Sequence, residues 1–322
     1  MSHVPTYLRS LVLPMMFTIL LIPSSCHHVD PRLSLAANSV VTHPTEPIRL
    51  AAYLPWFGHP GHINVGYSSV DRVAIEKQVD AAKRFGIVAF VVNWYGAQHD
   101  FEDKAYALMQ EVAAGRSFQV ALMYDEDDSD PASATDRVIA DLQYAYDHYI
   151  GAHAVVARQA YMHYQGRPMI FIFPKNGHTD WHRVRQAVNA WDDPPLLIFK
   201  DIPAEYANAF DGFYAWVNPG QQGWQPDGSN WGQQYLDNFY KTMESDYPSK
   251  ITVGAAWAAF DDSKASWSQN RKMDSRCGRT FEDTLRLFSH YNQQHPMPFL
   301  MVETWNDYEE GTAIEKGLNP CK

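Results

Sequence analysis

The sequence predicts an α/β fold, a (β/α)8 or TIM barrel, in one domain spanning residues 49–322. From residue 49 onward, apolar segments of strand length alternate with amphipathic segments of helix length. Eight such apolar segments occur within about 270 residues, which is the size of this barrel. The competing doubly wound sheet needs a Gly-rich turn after its first strand. The chain has Pro-Trp-Phe-Gly-His-Pro-Gly-His there, without a GxGxxG motif, so the barrel is favoured.

The strand predictions follow from runs of apolar residues. The second run, Ile-Val-Ala-Phe-Val-Val-Asn-Trp, is almost continuously apolar, as expected of a strand buried on both faces. The predicted strands are 49–57, 87–94, 118–124, 169–173, 196–200, 212–217, 251–257 and 298–304.

The helix predictions follow from spacing and from capping residues. A capping box, Ser68-Ser69-Val70-Asp71, opens the first helix, which Gly86 ends. Only residues 305–322 follow the last strand, so the eighth helix is expected to be short or missing. The other predicted helices are 101–114, 133–150, 180–191, 231–245 and 280–293, with a short helical turn at 203–208.

The N-terminus predicts export. Residues 1–26 have the pattern of a signal peptide, with Arg9 ahead of an apolar run at 10–23. Two serines then precede Cys26, which resembles a bacterial lipoprotein cleavage box, so a lipid on Cys26 would anchor the mature protein to a membrane. The alternative is ordinary cleavage near the same point. Residues 27–48 are polar and predict a tether, so the expected location is secreted or extracytoplasmic.

Charge and cysteine content narrow the possible partners. Lys and Arg number 26 against 37 Asp and Glu, a net charge of −11, which excludes a nucleic-acid partner that would need a basic surface.

His59 and His62 form too small a cluster to predict a metal, so no metal and no cofactor is expected. Without Cys26, an even pair remains, Cys277 and Cys321, which form a disulfide or stay as two free thiols.

The ends of the predicted strands carry tryptophans, carboxylates and amides. Active sites of these barrels lie at the carboxyl ends of the strands. A pyranose stacks its C–H face on an indole ring, and Asp, Asn and Lys side chains hold its hydroxyls. For any single Trp the alternative is packing at the barrel mouth. The predicted substrate-contacting residues are Trp56, Asn93, Trp94, Tyr95, Tyr124, Asp125, Lys200, Asp201, Trp216, Trp257, Glu303, Trp305 and Tyr308.

Two charged positions leave alternatives open. Lys200 and Asp201 form either a salt-bridged pair that belongs to the substrate pocket or a pair that interacts only with each other. Glu303 lies inside the last predicted strand, where an unpaired charge would be costly. We therefore expect a Lys or Arg partner for it, or a contact with substrate.

Three segments resemble motifs of glycoside hydrolase families 71 and 99 and their bacterial relatives. They are Tyr-Leu-Pro-Trp-Phe-Gly at 53–58, Phe-Val-Val-Asn-Trp-Tyr-Gly at 90–96, and Thr-Trp-Asn-Asp-Tyr-Glu-Glu-Gly-Thr-Ala-Ile-Glu at 304–315. These families are (β/α)8 barrels; family 71 cleaves α-1,3-glucan, and family 99 is a retaining endo-α-mannosidase. The resemblance implies an exported glycoside hydrolase acting on an α-linked polysaccharide or oligosaccharide of the α-glucan or α-mannan type.

The same resemblance implies a catalytic pair, Asp307 and Glu310. Family 99 has Glu at the position of Asp307, whereas family 71 has Asp. Glu310 would protonate the leaving oxygen, and Asp307 would activate water or assist the sugar's own 2-hydroxyl, as in family 99.

Two alternative functions outside the hydrolases stay open: the protein is a non-catalytic carbohydrate-binding lipoprotein, or it is associated with polysaccharide biosynthesis. The enzyme reading requires both carboxyl groups to face one cavity.

Overall fold

The computed structural model describes residues 46–126, 130–154, 156–175, 177–218 and 230–318. Its centre is a closed barrel of eight parallel strands, each paired with the next along the chain, and β8 pairs with β1. The predicted fold class is therefore confirmed. The strands are β1 Ile48–Tyr53, β2 Ala89–Trp94, β3 Gln119–Asp125, β4 Arg167–Phe173, β5 Leu196–Lys200, β6 Gly212–Tyr214, β7 Ile251–Ala256 and β8 Phe299–Val302.

Six α-helices surround the barrel in the described part of the chain. Every residue of β2 is buried, because the barrel interior covers one face of the strand and this helical layer covers the other. The connection between β5 and β6 is a 3-10 turn at Ala204–Ala209, where the sequence predicts a short turn. The helices are α1 Arg72–Arg84, α2 Asp100–Ala114, α3 Ala134–Ala145, α4 Trp181–Val188, α5 Gln233–Asp246 and α6 Arg279–Gln294.

The start of α1 differs from the predicted capping box. Asp71 is the N-cap, with extended backbone and a side chain that accepts the N–H of Val73. Ser68 was expected in that role, but its hydroxyl only accepts the N–H of Val70 within the preceding turn, at 3.4 Å. The carboxylate is the stronger acceptor for a free helical N–H, so the helix begins three residues later than the motif suggested.

The segment after β8 contains turns and no helix in residues 303–318, the part that the structure describes. The missing helix would lie between α6 and α1. In its place is an apolar groove with a cavity of about 540 Å³, lined by residues such as Phe85, Leu285 and Leu300. β8 pairs directly with β1, and no helix among the described residues covers the flank of the barrel at this pairing.

The predictions for the termini are not tested by the described residues. The signal peptide, Cys26 and most of the tether lie outside them. Cys277 is disulfide-bonded, but Cys321 lies outside the described residues, so its pairing with Cys277 stays a prediction. Within the described residues, no helix combines the length and the apolar character that crossing a membrane requires.

Candidate active site

The loop that follows β8 is fixed to the end of β1 by the side-chain amide of Asn306, which pairs with the backbone of Leu54 as a neighbouring strand would. Asn306 accepts the N–H of Leu54 through Oδ1 at 2.8 Å and donates from Nδ2 to the Leu54 carbonyl at 2.9 Å. The hydroxyl of Thr304 accepts the N–H of Asp307 at 2.8 Å and bonds to the Thr312 hydroxyl at 2.9 Å. These bonds hold the backbone of the loop at both ends of the carboxylate pair.

A turn within this loop brings Asp307 and Glu310 to one side. The Oδ1 atom of Asp307 accepts the N–H of Glu309 at 3.0 Å and that of Glu310 at 2.9 Å. The backbone carbonyl of Asp307 accepts the N–H of Thr312 at 3.1 Å, which completes a helix-like turn. Side chains three residues apart then share a face, as the spacing of the pair requires.

Both carboxylic acids line one cavity of about 600 Å³ at the carboxyl ends of the strands. Its lining combines five Trp, Tyr and Phe rings with imidazole, carboxyl, amide and ammonium groups, and such a mixture of aromatic and polar groups is usual in a small-molecule site. Asp307 is 3% exposed, so its carboxyl group meets little water except through the cavity. The remaining lining residues are Leu54, Trp56, His59, His62, Asn93, Tyr95, His99, Glu102, Asp125, Phe173, Lys175, Trp216 and Trp267.

Burial raises the pKa of both members of the pair. For Asp307 the rise is large because burial disfavours its charge and Glu310 repels it, although two backbone N–H bonds act in the opposite direction. The pKa of Glu310 is raised by burial and lowered in part by the indole N–H of Trp267, which lies 3.0 Å from Oε1, and by Arg271. Two neighbouring carboxyl groups that resist ionising together are suited to holding and passing one proton.

A second polar group lies across the cavity at the end of β3. Asp125 is buried, with Oδ2 accepting the amide of Asn93 at 2.9 Å and Oδ1 lying 2.6 Å from Nζ of Lys175. Burial raises the pKa of Asp125, and Lys175 opposes that rise. The amide oxygen of Asn93 has no protein partner among the described residues, so it is free to accept a ligand hydroxyl.

A smaller cavity of about 170 Å³ adjoins the main one. Three residues line both: Phe173, Trp216 and Glu310. Lys200 and Asp201 line the smaller cavity, but the ion pair predicted between them is not formed. Asp201 accepts the hydroxyl of Tyr235, and Nζ of Lys200 lies 4.1 Å from the centre of the Phe173 ring.

Seven of the predicted site residues other than the pair therefore meet at the two cavities, and six do not. Whether the first group contacts substrate stays a prediction. Those lining a cavity are Trp56, Asn93, Tyr95, Asp125, Lys200, Asp201 and Trp216. Those that line neither cavity are Trp94, Tyr124, Trp257, Glu303, Trp305 and Tyr308.

The prediction for Trp94 and Tyr124 is corrected by the alternation of side chains along a strand. Asn93 and Asp125 point into the barrel mouth, so their neighbours Trp94 and Tyr124 point outward to the helices. The indole N–H of Trp94 donates to Asp103 of α2 at 2.8 Å. The hydroxyl of Tyr124 donates to Asp141 of α3 at 3.0 Å. Both rings pack between barrel and helices, where substrate does not reach.

The prediction for Trp257 and Trp305 is corrected in the same way. Both are fully buried. The indole N–H of Trp257 donates to the carbonyl of Trp231, just before α5, at 3.0 Å. Trp305 packs against Phe85, beside the end of α1, and against Phe90 of β2. Each indole fills the space between the barrel and a helix.

The last two corrections concern Glu303 and Tyr308. Glu303 is fully buried and accepts the N–H of Val217 at 2.6 Å; no Lys or Arg among the described residues pairs with it. Burial raises its pKa well above the ordinary value, and Lys200 opposes that rise without forming an ion pair with it, so the expected Lys or Arg partner is not found among the described residues. Tyr308 donates its hydroxyl to Glu315 at 2.7 Å and packs on Phe57, away from the cavity.

Several lining residues were not predicted from the sequence. Trp267 lies in the long connection between β7 and α6, beyond any strand end, and its indole contacts Glu310. Glu102 lies in the first turn of α2. The sequence shows His59 and His62 close together in the loop after β1. Their position at the cavity depends on contacts with segments distant in sequence, such as that of Glu309.

The fold and the site place the chain among (β/α)8 barrel proteins with a carboxylate pair at the carboxyl end of the barrel. No known family model and no curated protein matches the chain. Among solved structures, it is similar to the GH99 endo-α-mannosidase of Bacteroides thetaiotaomicron in complex with bis-tris-propane. The TM-score is 0.64 and the identity 18%, over 84% of this chain and 87% of that one.

Two further structures show the same architecture. A glycoside hydrolase-like protein gives a TM-score of 0.59 at 13% identity, over 87% of this chain and 91% of that one. A β-glucosidase from Thermotoga maritima gives 0.52 at 10% identity, over 84% and 92% of the two chains. At these identities the likeness shows the fold, and it agrees with the resemblance that the three sequence motifs carry.

Proposed function

We propose that the protein is a glycoside hydrolase that cleaves an α-linked polysaccharide or oligosaccharide with the pair Asp307 and Glu310. The observation that carries the proposal is that both carboxyl groups line one aromatic cavity at the carboxyl end of the barrel. A protein that only binds sugar needs the aromatic walls but not two neighbouring acids of raised pKa.

The proposed roles follow from the two cavities. Glu310 lines both, whereas Asp307 lines only the larger one. A glycosidic oxygen joins two sugars, so a group at the junction of two sugar-sized spaces is well placed to protonate it. Glu310 is therefore the general acid, and the larger cavity holds the sugar whose anomeric carbon reacts.

Asp307 is the base in this scheme. As the bond from the anomeric carbon to the leaving oxygen breaks, the proton of Glu310 goes to that oxygen. A water oxygen then bonds to the anomeric carbon, and its proton goes to Asp307. In the alternative route, Asp307 takes the proton of the sugar's 2-hydroxyl, which attacks the anomeric carbon before water does. A raised pKa makes Asp307 a stronger base near neutral pH in either route.

The α-linkage is supported by the motif at 304–315 and by the similar fold of an endo-α-mannosidase. The test is a panel of α-glucans and α-mannans incubated with the mature protein, with the product anomer followed by NMR. Cleavage of one class, with no cleavage by a Glu310→Gln variant, is the expected result. Binding without cleavage by any member of the panel would favour the carbohydrate-binding lipoprotein instead.

Export is a separate part of the proposal, and the pattern of residues 1–26 supports it. Mass spectrometry of the native protein should find a mature chain that begins at or near Cys26. If Cys26 carries a lipid, Cys26→Ala should release the protein from the membrane and leave its activity intact. An intact chain that begins at Met1, found in the cytoplasm, would contradict export and favour the biosynthesis-associated reading.

A further inference from the structure

Three potential metal ligands meet on the wall of the main cavity. His59 and His62 lie in the loop after β1, and Glu102 lies in the first turn of α2. One ligand atom from each of the three lies within 4.8 Å of the other two. Backbone hydrogen bonds from the N–H of His59 to the carbonyl of Trp56, at 3.0 Å, and from the N–H of His62 to the carbonyl of His59 fold the loop so that both rings face α2.

The ring of His62 is held in one orientation. Its Nδ1 atom lies 2.8 Å from Oε2 of Glu309, and the ring stacks on Trp56 at 4.8 Å with an interplanar angle of 7°. Glu309 is itself buried and accepts the N–H of Ile63 at 2.9 Å. A carboxylate bonded to one imidazole nitrogen leaves the other, Nε2, as a ligand, which is the usual support of a histidine that binds a metal.

Glu102 supplies a buried carboxylate that the protein does not satisfy. It is 6% exposed and lines the cavity. Among the described residues, no group donates a hydrogen bond to it, and its nearest cationic partner is Nδ1 of His59 at 3.8 Å. Because Glu102 faces the cavity and accepts no hydrogen bond from the described residues, its carboxylate oxygens are available to bind a metal ion.

We propose that His59, His62 and Glu102 bind a divalent transition-metal ion of the zinc type. Two imidazoles and one carboxylate are a common zinc ligand set, whereas calcium and magnesium prefer oxygen ligands. Zinc bonds of about 2.0–2.1 Å place tetrahedral ligand atoms roughly 3.4 Å apart, so the side chains close by on the order of 1 Å. His59 is exposed and free to make most of that movement.

The fourth position of the ion faces the cavity. Trp56, against which His62 stacks, forms the same wall. An ion there adds a Lewis-acidic contact for a hydroxyl or a water molecule beside the aromatic surface. This site does not depend on the proposed hydrolase activity, because the ligands would hold the ion whether or not the protein cleaves a sugar.

The test measures metal binding by the mature, untagged protein without substrate. Isothermal titration with Zn²⁺ should give one equivalent bound, and Co²⁺ should give the visible absorption of a tetrahedral site. His62→Ala and Glu102→Gln should each weaken Zn²⁺ binding at least about tenfold, and Glu309→Gln should weaken it by about 10–100-fold through the loss of the supporting carboxylate.

Two controls keep the result interpretable. His99→Ala removes an imidazole that lines the same cavity but lies outside the cluster, and it should keep full Zn²⁺ binding. His59→Ala changes an exposed residue, so it should lose the metal with an unchanged melting temperature of the metal-free protein. The proposal is overturned if wild type binds no Zn²⁺, or if binding survives in both His59→Ala and Glu102→Gln.

Discussion

Two sets of tryptophans follow strands of this barrel, and they differ in what covers them. Trp56 and Trp216 line the cavity, joined by Trp267 from a long loop, so part of each ring is covered by no other protein group. The second set, Trp94, Trp257 and Trp305, is enclosed between strands and helices. The same residue type at the same edge of the barrel thus serves either ligand contact or stability, and the direction of the side chain decides which.

The largest expected effect lies in the cavity and concerns the carboxylate pair. Asp307→Asn and Glu310→Gln preserve shape but remove a proton acceptor or donor, so the rate of hydrolysis should fall by about 10²–10⁴-fold in each. The two losses should not add, because the groups act as one unit. On a fluoride or dinitrophenyl glycoside, whose leaving group needs no proton, Glu310→Gln should recover much of its rate and Asp307→Asn should not.

The matched control for this pair is Glu303→Gln. Glu303 is a buried acid on the same segment that lines neither cavity, and burial raises its pKa well above the ordinary value. A neutral amide in its place should cost far less activity than either change in the pair. Full activity in Asp307→Asn, or equal rescue of both variants by the activated glycoside, would contradict the assigned roles.

The next largest effect is a loss of folding stability when one of the enclosed tryptophans is replaced. Trp94→Ala should lower the free energy of unfolding by about 3–5 kcal/mol, because it leaves a cavity and removes one of the three side-chain hydrogen bonds that Asp103 accepts. Urea denaturation measures the loss, and the folded fraction should bind sugar with unchanged affinity. Normal stability together with weakened binding would place Trp94 at the substrate after all.

A smaller effect is expected for a cavity tryptophan. Trp216→Ala, made in an inactive Glu310→Gln background, should weaken oligosaccharide binding by about 1–3 kcal/mol, by analogy with the stacking of bases on aromatic rings. Calorimetric titration measures the affinity, and Trp216→Phe should retain part of it. A variant that melts early and binds normally would move Trp216 into the enclosed set.

The smallest effect is a shift of pH dependence. Asp307 acts when deprotonated, and its raised pKa places the acidic limb of the rate profile above that of an ordinary aspartate. Glu309→Gln removes a neighbouring charge that raises the pKa of Asp307, so that pKa should fall and the limb should move to lower pH. Rates on an activated glycoside across pH measure the shift. Glu310→Gln replaces a group that is neutral while Asp307 ionises, so the acidic limb should stay in place in that variant. An unmoved limb in Glu309→Gln would contradict the effect of Glu309 on the pKa of Asp307.

The sequence predicted the barrel because each strand is a distinct apolar run. It could not predict which neighbour faces the cavity, because a run buried on both faces, as in β2, carries no alternation of polar and apolar residues. Asn93 and Trp94 are therefore indistinguishable by pattern, although only Asn93 reaches the cavity. The carboxylate pair was predicted from the resemblance of a contiguous motif to families 71 and 99.

The remaining site residues depend on contacts between distant segments. Nδ1 of His62 lies 2.8 Å from Oε2 of Glu309, yet the two residues are 247 positions apart in the sequence. Trp267 reaches Glu310 from the middle of a long connection, where neither periodicity nor a strand end marks it. Such contacts arise only once the barrel closes, so one-dimensional patterns do not contain them.

In the part of the chain that the structure describes, no helix follows β8, and the loop that carries Asp307 and Glu310 joins the two ends of the barrel. β1 and β8 are the strands farthest apart in sequence, and beyond their pairing the N–H of Trp305 donates to the carbonyl of Ala52 at 2.7 Å. Asn306 then binds Leu54 in both directions. We therefore expect that opening this seam also separates the carboxylate pair. In hydrogen exchange, the amides of this seam should lose protection together with the geometry of the pair, so the site lasts as long as the barrel stays closed.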